Sequence, residues 1–124
     1  MKRIIFSIIL MCNLCTMWAV GQSGIYQHSV ALAGYISTET GKAPTAYIWI
    51  PEGCQTVKAV VLAQQNMTEE MLYKNEAFRK RMSELDVALV WVAPWFSQNW
   101  DPATGCQKVF EEMMVGLAGQ SGHK

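Results

Sequence analysis

Residues 57–100, VKAVVLAQQNMTEEMLYKNEAFRKRMSELDVALVWVAPWFSQNW, decide the fold. Two short apolar runs, 57–63 and 87–93, flank one amphipathic stretch. Each run is nearly continuous apart from Lys58, the pattern of a strand covered on both faces in a parallel sheet. Between them Thr68 can cap a helix, with Glu69 and Glu70 placed to meet its dipole. Met71, Phe78, Met82 and Leu85 follow at spacings that put them on one helical stripe. Arg79, Lys80, Arg81 and Glu84 fall mostly elsewhere and read as a solvated face. Asn75 is a weak point at which the helix can stop and restart. Strand, crossover helix and strand within about 40 residues is the size of a right-handed βαβ unit.

Working outward toward the amino terminus, residues 46–50 (AYIWI) form a β-prone run closed by Pro51-Glu52-Gly53. Residues 29–36 are a weaker strand, and the cluster 37–42 (STETGK) is a turn between them. The pair predicts an antiparallel hairpin. Alternation places Tyr47 and Trp49 on one face and Ala46, Ile48 and Ile50 on the other. Toward the carboxyl terminus, Asp101-Pro102 opens a second helix. Val109, Phe110, Met113, Met114 and Leu117 supply its apolar stripe to about Ala118.

The first 21 residues read differently. Met1-Lys2-Arg3 is a basic start, residues 4–18 are mostly apolar, and Ala19-Val20-Gly21 offers small residues for cleavage before Gln22. That order is a secretory signal peptide, which leaves 22–124 as the domain. The apolar stretch falls short of the roughly 20 residues a spanning helix needs. The expected location is secreted or periplasmic, with no stable membrane insertion after cleavage. Cleavage removes Lys2 and Arg3 from ten basic residues while all ten acidic ones stay, so the remainder is acidic by two charges. No basic field is present for nucleic acid.

Four cysteines fall to Cys54 and Cys106 once the signal is gone. Cys54 precedes the first parallel strand and Cys106 follows the second strand's carboxyl end. A seven-residue strand is roughly 23 Å long, whereas a disulfide needs Cα atoms within about 7 Å. Two free thiols are expected. With no CxxC motif and only His28 and His123, no metal set is predicted.

Ligands of open α/β sheets bind outside the carboxyl ends of the strands. Two loops meet that requirement, Gln64-Gln65-Asn66-Met67 and Trp95-Phe96-Ser97-Gln98-Asn99-Trp100. The first runs into a helix amino terminus, where free N–H groups can meet an anion or simply be capped by a polar loop. In the second, Trp95, Phe96 and Trp100 can line a substrate groove against a sugar or aryl group. They can equally pack the loop against the following helix. Asn66-Met67-Thr68 is also a sequon, and a glycan there would obstruct the first loop.

The order of hairpin, KAVVLAQQN, helix and DVALVWVAPWF resembles the amino-terminal part of secreted α/β-hydrolase-fold proteins of the esterase-like kind, over roughly residues 28–120. The resemblance implies an α/β fold with a partial hydrolase-like sheet: an antiparallel hairpin plus a βαβ unit and a following helix. It implies ester or acyl hydrolysis of a small-molecule or carbohydrate-linked ester, without cofactor. In that family an oxyanion loop, often His-Gly-Gly, follows the third strand. The matching positions are Gln64, Gln65 and Asn66, a departure in side chain that leaves backbone donors possible.

The family's nucleophile sits in a G-x-S-x-G turn on the next strand, followed by an acid and a His. No such set is found, so no catalytic residue is assigned in this chain, and a truncated domain is expected, its nucleophile-bearing half beyond residue 124 and the chain itself inactive. Gly119-Gln120-Ser121-Gly122-His123 follows a helix rather than a strand, and Gly21-Gln22-Ser23-Gly24 straddles the cleavage site. The competing expectation is a non-catalytic exported binding or interaction domain that uses the Trp-rich loop.

Overall fold

A computed structural model describes residues 24–37, 40–95 and 106–123. The expected signal segment 1–21 lies outside the described residues. The elements in chain order are β1 (His28–Ala31), β2 (Thr45–Trp49), β3 (Ala59–Gln64), α1 (Met67–Lys74), α2 (Glu76–Glu84), β4 (Val87–Ala93) and α3 (Cys106–Ser121). The strands form one open mixed sheet in the order β1-β2-β4-β3. β1 and β2 are antiparallel, as are β2 and β4, while β3 and β4 run parallel. This is an α/β arrangement: an antiparallel hairpin joined to a βαβ unit.

Among the described strands β4 is the centre, because it is the most apolar run and has β2 and β3 on its two sides and helices on both faces. Ala88, Leu89, Val90 and Val92 are fully buried and Trp91 nearly so. One face joins Ala46, Ile48, Ile50, Ala88, Val90 and Val92 to Met113 and Leu117 of α3. The other joins Ala63, Leu89 and Trp91 to Tyr73, with Tyr47, Trp49, Phe78 and Met82 around them. The predicted split of β2 into a Tyr47/Trp49 face and an Ala46/Ile48/Ile50 face is observed.

Several elements differ from the sequence expectation. The first strand ends at Ala31, because Ala33-Gly34 turn and the chain folds back through Ser37, whose N–H donates to the Lys42 carbonyl at 3.0 Å. The crossover is two helices that stop and restart at Asn75, the weak point named in the sequence. The Asn75 N–H donates to the Leu72 carbonyl at 3.0 Å, ending α1, while its side-chain oxygen accepts from the Phe78 N–H at 3.0 Å, starting α2. That restart resets the helical phase. Met71 is therefore 74% exposed and Leu85 41% exposed, and Tyr73 takes the core position the stripe assigned to Met71. The cap of α1 is Asn66 and not Thr68: the Asn66 side chain accepts from the Glu69 N–H at 2.9 Å. α3 continues to Ser121, three residues past its expected end, and its expected opening at Asp101-Pro102 lies outside the described residues. Cys54 and Cys106 are free thiols, as expected.

Candidate functional site

The carboxyl ends of the parallel pair β3 and β4 come together beside the amino terminus of α1. The register Gln64↔Val92 brings the Gln64-Gln65-Asn66 loop level with Ala93-Pro94. Because β2 runs antiparallel to β4, with Thr45 opposite Ala93, its amino end and the preceding 40–44 turn arrive at the same place. The result is an open cleft of about 390 Å³ lined by Thr40, Lys42, Tyr47, Gln65, Ala93 and Pro94.

The loop's backbone donors are largely committed. The Gln65 N–H donates to the Val92 carbonyl at 2.9 Å and continues the ladder past the strand. The Gln64 N–H points the other way and donates to Oε2 of Glu69 at 3.0 Å. In the first turn of α1, the Glu69 N–H is taken by the Asn66 side chain and the Glu70 N–H by the Asn66 carbonyl, at 2.9 and 3.1 Å. Among the described residues no such bond is made by the N–H groups of Asn66, Met67 and Thr68, which stand at the exposed start of α1. The Glu69 carboxylate beside them already meets the positive end of α1.

Of the sequence-predicted site residues, Gln65 lines the cleft, Gln64 serves the strand edge, and Asn66 serves as a helix cap. Trp95 is half-buried at the end of β4 but does not line the cleft; Phe96 and Trp100 lie outside the described residues. Sequence reading missed Thr40, Lys42 and Tyr47. Their signal is the hairpin itself, which brings them to the site only once β2 is known to neighbour β4.

His28 and His123 stand at the other end of the sheet. They line a separate cleft of about 590 Å³ with Trp49, Glu52, Cys54 and Ser83. Ser121 belongs to the end of α3, where its hydroxyl donates to the Ala118 carbonyl at 3.4 Å. Neither histidine is thus near the Gln64–Asn66 loop. No group of three or more His, Cys, Asp or Glu among the described residues could hold a metal ion. Among those residues no helix is long and apolar enough to cross a membrane. No protein-family model matches this chain, no curated protein matches it, and no solved structure matches it.

Proposed function

We propose that the chain supplies the substrate-holding, oxyanion-side part of an exported α/β-hydrolase-like protein acting on an ester or related acyl bond. The observation that carries the reading is the cleft where the carboxyl ends of β3 and β4 open beside the amino terminus of α1. The mixed sheet of hairpin and βαβ unit supports it, since ligands of open α/β sheets gather at that edge. In this reading Tyr47, Thr40, Lys42 and Gln65 hold the body of the substrate. The Met67 and Thr68 N–H groups face the carbonyl oxygen, the role a helix amino terminus suits. No described side chain is assigned the attack, so the chain binds an ester without turning it over.

Titration of an aryl acetate into isotope-labelled protein, followed by amide shifts, tests this. Expected are shifts confined to residues 40–47, 64–68 and 93–94, with hydrolysis no faster than the buffer blank. Shifts that avoid those residues would remove the reading. The commitment of the Gln64 and Gln65 N–H groups favours a second one, a non-catalytic binding domain that uses Trp95. It is separated by intrinsic fluorescence. Quenching by an oligosaccharide but not by the aryl ester, lost in Trp95→Ala, would select it.

A further inference from the structure

Among the described residues that line the cleft at the carboxyl ends of β3 and β4, Lys42 alone is charged. Lys58, Lys74, Arg81 and Lys108 each meet a carboxylate, whereas the Lys42 ammonium makes no ion pair among the described residues. The two carboxylates in the first turn of α1 are already engaged. Glu69 accepts from the Gln64 N–H at 3.0 Å, and Glu70 accepts from the Lys74 ammonium at 2.6 Å. The cleft lining therefore carries one unpaired positive charge and no carboxylate.

The turn that carries Lys42 is held from inside. Ser37 is fully buried, and its N–H donates to the Lys42 carbonyl at 3.0 Å while its carbonyl accepts from the Gly41 N–H at 2.8 Å. The Lys42 N–H donates to the Thr40 hydroxyl at 3.3 Å. Gly41 supplies the left-handed residue, with φ of 66°, that this closure needs. The backbone of Lys42 is thus fixed at the rim of the cleft, and only its side chain is left to reach a ligand.

Strand order sets where the charge stands. β2 and β3 flank β4, so the 40–44 turn and the 64–68 loop rise on opposite sides of Ala93-Pro94. Neighbouring strands lie about 4.8 Å apart, which separates the two walls by roughly 10 Å. The amino terminus of α1 stands at the β3 wall and Lys42 at the β2 wall. Thr40, Tyr47 and Gln65 add uncharged hydrogen-bonding groups along the cleft. A ligand with its ester at one end and a negative charge at the other matches that span.

We propose that the substrate class of this cleft is an ester with a carboxylate at the end remote from its acyl carbon, and that the Lys42 ammonium receives the carboxylate. The inference rests on the hydrolase-like reading of the cleft and adds the charge of the substrate and its position. An ammonium is a compact point charge on a flexible stem, which suits a terminal carboxylate that need not be gripped in a fixed plane. In an open cleft such a pair changes affinity a few-fold and is screened by salt.

Aryl acetates of one skeleton test it, by amide shifts on the isotope-labelled chain at low ionic strength: phenyl acetate, para-carboxyphenyl acetate and para-(trimethylammonio)phenyl acetate. The expected order of affinity is anionic, neutral, cationic, with about three- to fivefold between the first two. That margin should shrink toward parity as salt is added. Ortho-carboxyphenyl acetate, whose charge lies against the ester, should bind no better than phenyl acetate. Lys42→Gln should level the series and Lys42→Glu should invert it. If either variant loses the parent amide pattern, the charge series and the isomer pair on the unaltered chain decide. Equal affinities for the para anion and the neutral ester, or a preference that survives Lys42→Gln, would overturn the proposal and leave the cleft reading standing. Shifts that avoid residues 40–47, 64–68 and 93–94 for every ester would remove the cleft reading itself, and this inference with it.

Discussion

Tyr73 shows how much one side chain carries here. It is 1% exposed, its ring lies 6.0 Å from Trp91 and 6.2 Å from Phe78, and its hydroxyl donates to the Val61 carbonyl at 2.7 Å. It thereby ties α1 to the edge strand. Tyr73→Phe keeps the ring and deletes the donor, so we expect a loss of about 1 kcal/mol in chemical denaturation. Burial raises the Tyr73 hydroxyl well above its ordinary value of 10.0, with the neighbouring Tyr26 and Glu69 adding to the rise. Tyr26 is raised in the same sense by burial and by Glu70, partly offset by Arg79.

A hydroxyl that ionises more readily in the unfolded chain stabilises the fold fully below its unfolded value and stops doing so as pH rises through the folded one. Melting temperature should therefore hold from about pH 7 to 9 and fall above about pH 10. Tyr73→Phe should flatten part of that fall; an identical pH profile in the variant would refute the assignment. Trp91 was legible as core because the β4 run is apolar on both faces. Tyr73 was not, because its phase depends on where the helix breaks.

At the scale of elements, the break at Asn75 and the seat of α3 are the informative features. Asn75 ends one helix and caps the next, so Asn75→Ala should cost about 1 kcal/mol, read from denaturant midpoints. α3 crosses β1 at Gly116, where an added Cβ would lie 2.9 Å from Cγ2 of Val30. Val30 is β-branched and stiff, so it cannot swing aside. Gly116→Ala gains about 1 kcal/mol of helix propensity and suffers about 1–3 kcal/mol of overpacking. The expected outcome is a less stable protein despite a better helix former, and Gly116→Ala paired with Val30→Ala should recover the propensity gain. The α3 stripe was legible through Met113 and Leu117. The glycine contact was not, because it depends on which strand the helix crosses.

Over the whole molecule, protection should follow the sheet order. β4 has a strand on either side and a helix layer on either face, so its amides should exchange slowest, above those of β3 and β1 at the edges. Amide hydrogen exchange checks this, and β3 or β1 amides exchanging more slowly than those of β4 would contradict it.

Of this architecture, the amino-acid order alone determined the type of each element. Local alternation, the apolar runs 57–63 and 87–93, and the α3 periodicity act over a few residues and need no partner. Gln65 as a residue of the carboxyl edge was legible for the same reason, as the first residues after a strand fall there. The placement of β2 beside β4, the arrival of Thr40, Lys42 and Tyr47 at the cleft, and the capture of the Gln64 N–H by Glu69 were decided only by tertiary structure. Each depends on which strands meet, a choice made by burying the two faces of β4 at once, and no short window of sequence contains that sum.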